Sequence, residues 1–151
     1  MAPFVFTGTP VKIQKREFSS EQKSKILNEL GLSGKLPIVL IFGGSQGAKA
    51  INETLISILK NKSNKNYQIL WATGQKQYDT IKQRLKEEKI DINHLQNGKV
   101  VPYIYNMEEA MNICDIVIAR SGAMTVTEIT KVRKTGYIYT TTICNRKPSR
   151  I

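Results

Sequence analysis

The 151-residue chain has few cysteines, a single histidine and no long apolar run, and each scarcity excludes a class of protein. Its two cysteines, Cys114 and Cys144, form no C-x-x-C pair, which excludes a disulfide framework and a zinc site of the usual spacing. No apolar run approaches the roughly 20 residues of a membrane-spanning helix. Residues 1–12 lack the hydrophobic region of a signal peptide. We therefore expect a cytoplasmic protein in which Cys114 is a buried, unreactive thiol.

Acidic residues are also scarce, since 12 Asp and Glu face 23 Lys and Arg, for a formal charge of +11. Such an excess attracts phosphate backbones, so a nucleic-acid-binding module is one alternative. The basic residues are scattered along helix surfaces, however, and neither a stacking platform nor an RNA-binding motif is present. We expect no nucleic-acid partner. A basic surface also suits docking on a membrane of anionic lipids.

What the chain does contain is an alternation of short apolar segments with amphipathic ones. The apolar segments predict buried strands, and the segments with helical periodicity predict the helices that connect them. This order is typical of an α/β, Rossmann-like, doubly wound parallel sheet. The predicted strands are 37–42, 67–72, 99–104 and 115–119. The predicted helices begin at Ser19 or Ser20, at Ala48, at Gln75, after Asn106 and at Ala123.

The turn after the first predicted strand is rich in glycine. Gly43, Gly44 and Gly47 allow a ligand to approach the backbone, and the following helix N-terminus suits an anion. The pattern is neither G-x-G-x-x-G nor a Walker loop. Glycines in this position serve tight packing between strand and helix equally well, so the sequence leaves both interpretations open.

A second turn, Ser121-Gly122-Ala123, also leads from a predicted strand into a helix. Thr125 lies in the first turn of that helix, and Glu128 lies about one turn further in. Because a carboxylate repels phosphate, we expect Glu128 to bind something neutral with paired hydroxyls, such as a ribose. The alternative is that Glu128 only complements the helix dipole.

Together with the segment Val101–Met107, the two turns resemble the C-terminal domain of the MurG family. This family transfers N-acetylglucosamine from its UDP derivative to an undecaprenyl-linked acceptor, making lipid II for peptidoglycan. The resemblance implies one half of a two-domain GT-B enzyme that inverts the anomeric centre on the inner face of the cell membrane. It is carried by residues 7–12, Gly43-Gly44-Ser45-Gln46-Gly47-Ala48, Thr73-Gly74, residues 120–123, Thr125 and Glu128.

The resemblance also implies a role for individual residues in binding UDP-N-acetylglucosamine. Ile104 would hold the uracil through its backbone, with Met107 lining that pocket, and Glu128 would bind the ribose hydroxyls. The diphosphate would lie at Ala123, Met124 and Thr125, supported by the backbone loops that contain Gly43, Gly44, Gly47, Ser121 and Gly122. Ser45 and Gln46 would face the cleft between donor and acceptor. Lys12 stands where the family commonly has arginine, so it keeps the charge but loses the planar fork.

Catalysis is expected to need more than this chain. By the same resemblance no metal or other cofactor is required, and the general base and the acceptor site belong to an N-terminal domain that this chain lacks. The only histidine, His94, lies outside the motifs and is expected on the surface. Another UDP-sugar enzyme of the same architecture, an epimerase or a different glycosyltransferase, is the main alternative. The Gly-Gly-Ser-Gln-Gly-Ala string favours MurG.

The expected organisation is an approach segment (1–36), a nucleotide-sugar-binding domain (37–132) and a tail (133–151). The family continues after Val132 with a Gly-Lys-Pro-Ala turn, a hydrophobic strand and an Asn-His-Gln segment, none of which the tail contains. If the tail is back-translated with A/T-leaning codons and one base after the Val132 codon is deleted, Gly-Lys-Pro-Ala and Asn-His-Gln both reappear. We therefore expect a one-base frameshift at Val132, a non-native tail, an unprotected sheet edge and an inactive, marginally stable chain.

Overall fold

Five parallel strands form one sheet in the computed structural model of the chain, which describes residues 11–43 and 48–139. The order across the sheet is β3-β2-β1-β4-β5, and every neighbouring pair is parallel. The expected α/β class with a doubly wound parallel sheet is therefore confirmed. The strands are β1 (Ile38–Phe42), β2 (Gln68–Ala72), β3 (Gly98–Val101), β4 (Ile116–Arg120) and β5 (Thr135–Tyr139).

The helices begin where the sequence placed them, and their caps explain two of these starts. Ser19 accepts a hydrogen bond from the backbone of Gln22 and closes a capping box, which fixes the first helix. The side chain of Asn106 accepts from the backbone N–H of Glu109 and starts the fourth. The helices are α1 (Ser20–Glu29), α2 (Lys49–Lys60), α3 (Gln75–Glu87), α4 (Met107–Ile113) and α5 (Ala123–Val132).

The helices cover both faces of the sheet because the chain reverses direction halfway across it. Helices α2 and α3 connect β1 to β2 and β2 to β3, and their apolar residues pack with Val39 and Ile41. Helices α1, α4 and α5 pack on the opposite face with Leu40 and Phe42. Right-handed connections that run in opposite directions place their helices on opposite faces. The central strand β1 is consequently buried along its whole length.

The reversal places β1 beside β4, with Phe42 paired to Ala119 near their carboxyl ends. This is the topological switch point, where ligands bind in open α/β sheets. The two turns singled out in the sequence, after β1 and after β4, leave the sheet at this point. Of the glycine-rich turn, Gly43 and Ala48 are described and both are buried.

At the amino ends of the strands, the side chains of Gln68 and Asp115 bind backbone groups of neighbouring segments. The amide of Gln68 accepts a hydrogen bond from the backbone N–H of Ser33 (2.8 Å) and donates to the carbonyls of Ser33 and Leu36. The carboxylate of Asp115 accepts from the backbone N–H of Ile38 at 2.8 Å. These bonds satisfy backbone groups that would otherwise lack partners at the sheet end.

The tail contributes a strand that the sequence analysis did not predict. Strand β5 pairs with β4 along its whole length, so that Thr135 lies opposite Ile116 and Tyr139 lies opposite Arg120. A Cβ atom at Gly136 would lie only 2.7 Å from Cγ2 of Ile129, so β5 passes too close to α5 for any larger residue without movement. Residues 140–151, including Cys144, lie outside the described part of the chain, as do residues 1–10 and 44–47. Among the described helices, none has the length and apolar character needed to cross a bilayer.

Candidate functional site

A cleft of about 480 Å³ lies at the carboxyl end of the sheet. It brings together four residues that the sequence analysis selected, namely Lys12, Ile104, Met107 and Glu128. These residues come from the approach segment, the β3–α4 connection, the start of α4, and α5. The remaining lining residues are Ile13, Phe42, Ala72, Gly74, Pro102, Tyr103, Tyr105, Asn106 and Glu108.

The cleft has an apolar floor and an aromatic rim. Phe42, Ala72 and Ile104 are buried beneath it. At the rim, Tyr103 is 47% exposed and Tyr105 is 89% exposed, and their rings meet edge-to-face with centroids 5.3 Å apart. An apolar floor with aromatic walls and a few polar groups is typical of a site for a planar organic ligand. Neither tyrosine was predicted as a site residue, since the sequence shows only the string Tyr103-Ile104-Tyr105 and not which of its side chains is exposed.

Glu128 reaches the cleft from the second turn of α5 and is half-buried. Burial raises the pKa of its carboxyl group above the ordinary value of 4.5. A helix dipole would act in the opposite direction, since it stabilises a carboxylate near the N-terminus and its effect fades after the first turn. Glu128 lies beyond that first turn, and its carboxylate lines the cleft, where it can accept hydrogen bonds.

Three helices that start at the carboxyl end of the sheet have no side-chain cap among the described residues. These are α2, α3 and α5, whose N-cap residues are Ala48, Gly74 and Gly122. By contrast α1 and α4 carry side-chain caps. Uncapped N–H groups combined with the partial positive charge of the helix form a site for an anion. At α5 these groups belong to residues 123–125, which carry the predicted diphosphate contacts.

The other predicted site residues divide into three sets. Ser121, Gly122, Ala123 and Met124 are exposed and Thr125 is half-buried at the carboxyl end, beside the cleft but not in its lining. Gly43 is buried at the end of β1. The predictions for Gly44, Ser45, Gln46 and Gly47 lie outside the described residues.

A buried polar cluster, which the sequence analysis missed, joins the first turns of α2 and α3. The Oδ1 atom of Asn52 accepts from the indole N–H of Trp71 at 3.1 Å, and its Nδ2 atom donates to Oε1 of Gln77 at 2.6 Å. Asn52 is 4% exposed and Trp71 is completely buried. The cluster therefore fixes the starts of both helices relative to β2. An asparagine within a helix with apolar periodicity was the available signal.

The remaining chemically active side chains lie away from the cleft. Burial raises the pKa of Cys114 to about 12, which agrees with the unreactive thiol expected from the sequence. His94 is on the surface, as predicted, with Nδ1 2.7 Å from a carboxylate oxygen of Asp91. Within residues 11–43 and 48–139, no group of three or more His, Cys, Asp or Glu side chains is arranged to hold a metal ion.

The order of the strands and the cleft at their switch point define a Rossmann-like ligand-binding domain. The profile of the glycosyltransferase family 28 C-terminal domain matches residues 38–138, and the chain belongs to this family. The resemblance to MurG is confirmed by curated relatives with 36–41% identity, each a UDP-N-acetylglucosamine–N-acetylmuramyl-(pentapeptide) pyrophosphoryl-undecaprenol N-acetylglucosamine transferase.

Individual relatives show how much of such a protein the chain represents. The transferase of Acetivibrio thermocellus is 40% identical over 127 residues, which are 83% of this chain and 32% of that protein. The crystal structure of Acinetobacter baumannii MurG is 30% identical, with a TM-score of 0.59 over 78% of this chain and 33% of the other. A glycosyltransferase from Rickettsia africae shares the fold at 15% identity and a TM-score of 0.61. The chain thus spans about a third of the relatives that it matches.

Proposed function

We propose that this chain is the donor-binding part of an inverting N-acetylglucosaminyltransferase that converts lipid I to lipid II in peptidoglycan synthesis. The observation that carries the proposal is the cleft at the switch point, which gathers Ile104, Met107 and Glu128 in a chain similar to transferases of that name. The donor is UDP-N-acetylglucosamine. Its uracil lies over the apolar floor, and its diphosphate lies at the uncapped start of α5.

Each predicted residue has a defined task in this arrangement. The backbone of Ile104 binds the uracil, Met107 lines the same pocket, and Glu128 accepts hydrogen bonds from the ribose hydroxyls. The N–H groups of residues 123–125 bind the diphosphate. Lys12, which is exposed and lines the cleft, supplies a positive charge near the donor. Ser45 and Gln46, in the glycine-rich turn, face the acceptor side.

In the proposed reaction, the group that most needs stabilisation is the leaving group, UDP. A hydroxyl of the acceptor sugar attacks the anomeric carbon, the bond to the diphosphate breaks, and UDP leaves with the charge that develops. Backbone N–H groups at a helix start stabilise that charge without any rearrangement during the reaction. The acceptor and the general base belong, in this proposal, to the two-thirds of the relatives that the chain does not span. The isolated chain is then inactive in sugar transfer.

The direct test is a titration of the ¹⁵N-labelled 151-residue chain with UDP, followed through its amide signals. We expect shifts at Ile104, Ala123 and Glu128, and none at Asn64 or Asn97 on the opposite end of the sheet. Competition between UDP-N-acetylglucosamine and UDP-glucose then distinguishes this transferase from another UDP-sugar enzyme. Binding of UDP at the amino end of the sheet, or no binding at all, would contradict the proposal.

We also propose that the chain acts as a peripheral protein on the cytoplasmic face of the cell membrane. The support is the formal charge of +11 together with an acceptor that is attached to a lipid. Vesicles with anionic lipids should bind the chain in a salt-dependent manner, whereas neutral vesicles should not. If RNA competes with the anionic vesicles at equal phosphate concentration, the attraction is to phosphate in general and not to the membrane.

The tail from 133 to 151 remains, in our proposal, the product of a one-base frameshift at Val132. The motifs that reappear in the alternative frame support it. Strand β5 and the match of the family profile up to residue 138 indicate that the first shifted residues still occupy the place of a family strand. The DNA sequence around the Val132 codon tests the idea, because unrelated codons in an undisturbed frame would end it.

A further inference from the structure

Two adjoining cavities at the amino end of the sheet are lined by lysines. The larger, of about 510 Å³, lies between the loops that follow α2 and α3, and the smaller, of about 340 Å³, lies beside the last turns of α3. The two cavities share Lys89, Ile90 and Asp91. The lysines that line them are all exposed, and we call them the lysine surface: Lys62, Lys65, Lys82, Lys86 and Lys89.

The lysine surface forms no ion pair with another residue in the described part of the chain. The nearest acidic side chains are bound to other partners. A carboxylate oxygen of Glu88 lies 2.8 Å from Nζ of Lys60, and one of Asp91 lies 2.7 Å from Nδ1 of His94. The charges of the lysine surface are therefore available to a negatively charged partner.

The local structure of the free protein gives no reason for this arrangement. Lys82, Lys86 and Lys89 line the same cavity at spacings of four and three residues, at which like charges on a helix repel each other. Lys62 and Lys89 each follow the C-cap of a helix with φ values of 51° and 59°, a conformation in which glycine is the usual residue. Such departures from local stability rules are typical of functional sites.

We propose that the lysine surface docks on a bilayer of anionic lipids. This inference rests on the peripheral membrane association proposed above, and it names the face of the domain that is responsible. Unpaired ammonium groups in one cluster match the negative charge of lipid headgroups. Nucleic acid is the less suitable partner, because neither cavity has a Trp, Tyr or Phe among its described lining residues on which a base could stack.

The position of the lysine surface is compatible with the proposed donor site. The cleft with Ile104 and Glu128 lies at the carboxyl end of the sheet, whereas the lysine surface lies at the amino end. A bilayer at the amino end therefore leaves the cleft open to a soluble nucleotide sugar.

The first test removes three charges at either of two places in the full-length chain. The surface variant carries Lys82→Gln, Lys86→Gln and Lys89→Gln. The control variant carries Lys15→Gln, Lys23→Gln and Lys25→Gln, which are exposed positions in the approach segment and in α1. The ligand is a vesicle of phosphatidylglycerol and phosphatidylcholine in equal amounts, and cosedimentation measures the binding.

The two variants should differ although they have the same net charge. We expect the surface variant to bind about 100-fold more weakly than the wild type, or about fivefold for each lysine. The control variant should bind nearly as the wild type does. Because the replaced lysines repel each other, the melting temperature of the surface variant should be equal to that of the wild type or higher.

A second test needs no substitution. The chain is acetylated briefly with and without the vesicles, and peptide mass mapping locates the modified lysines. We expect the vesicles to protect Lys82, Lys86 and Lys89, and to leave Lys23 and Lys25 as reactive as before.

The outcomes separate this inference from the proposals on which it rests. Equal losses in the two variants would assign the attraction to net charge, so the inference would be wrong while peripheral association stands. If the surface variant loses affinity for RNA but not for the vesicles, the partner is nucleic acid and the inference is overturned. If the wild type binds no vesicles, both membrane proposals fail, and the titration with UDP still decides the donor site.

Discussion

The two ends of the sheet differ in how their polar groups are satisfied. At the amino end, the side chains of Gln68, Asn64 and Asp115 bind backbone groups of neighbouring loops and strands. At the carboxyl end, α2, α3 and α5 start without side-chain caps, two tyrosine rings face solvent, and burial raises the pKa of Glu128. The polar groups of one end are satisfied within the protein, whereas the other end has the features expected of a site that binds a ligand.

This difference separates residues that stabilise the fold from residues that serve a ligand. Uncapped helices, exposed rings and a partly desolvated carboxylate are each unfavourable in the free protein. Natural sequences depart from local stability rules mainly at functional sites. Substitutions at the amino end should therefore change the free energy of unfolding, and substitutions at the carboxyl end should change ligand affinity. The following predictions test this separation.

The largest expected effect is on stability, at the amino end. Gln68→Ala removes hydrogen bonds to Ser33 and Leu36 in a side chain that is 3% exposed. We expect the free energy of unfolding to fall by about 2–4 kcal/mol, because buried backbone groups lose their partners. Urea denaturation measures it, with the exposed Gln83→Ala as the matched control. If folded Gln68→Ala also binds UDP more weakly, then the amino end affects ligand binding and the two ends of the sheet do not have separate roles.

At the carboxyl end the effect should appear in binding. Glu128→Gln replaces the carboxylate that we propose as the acceptor for the ribose hydroxyls. We expect UDP to bind about tenfold more weakly, since hydrogen bonds to a charged group are stronger than neutral ones. Calorimetry measures the affinity, and Glu87→Gln on the exposed side of α3 is the control. The loss should be smaller for 2′-deoxy-UDP, which has one hydroxyl less. An equal loss for both nucleotides would place Glu128 elsewhere than at the ribose.

The pH dependence of binding should follow the protonation of Glu128. The raised pKa means that protonation begins to remove the acceptor above the ordinary value of 4.5. Affinity for uridine, which has no phosphate to titrate, should be constant near neutral pH and decrease as the pH falls through that raised pKa. The contribution of this group to folding has the opposite sign: it is fully present below 4.5 and lost as the pH rises through the raised pKa. Uridine affinity that is independent of pH down to 4.5 would contradict the assignment.

The smallest expected effect is on the alkylation of Cys114, at the amino end of the sheet. Cys114 lies at the C-terminus of α4, fully buried, and a pKa of about 12 leaves almost no thiolate at pH 8. Iodoacetamide should therefore leave Cys114 unmodified in the native chain and modify it in urea. Peptide mass mapping distinguishes it from Cys144. Rapid native alkylation of Cys114 would show that the amino end opens readily.

The sequence predicted the class of fold, because short apolar segments and amphipathic helices alternate through residues 37–132. Boundaries were accurate where a cap is local, as at Ser19 and Asn106. Strand β5 was not predicted because residues 133–151 lack the motifs of the family, although Thr135–Tyr139 contains residues that favour strands. Its pairing with β4 depends on tertiary contact and not on a local pattern.

The site was predictable only in part. The motifs selected Ile104, Met107 and Glu128, which the structure places in one cleft. The rim tyrosines were not selected, because their exposure and mutual orientation depend on how the connection after β3 folds. The Asn52 cluster likewise joins residues that are distant in sequence. The raised pKa of Glu128 required knowledge of its burial.

The close approach of Gly136 to Ile129 has a consequence for the cleft on the neighbouring side of α5. Glu128 is the residue next to Ile129, so β5 and the candidate ribose contact lie on either side of one helical turn. Any sequence that places a larger residue at position 136 displaces either the strand or that turn. The position of the Glu128 carboxylate in the cleft therefore depends on the small residue at position 136.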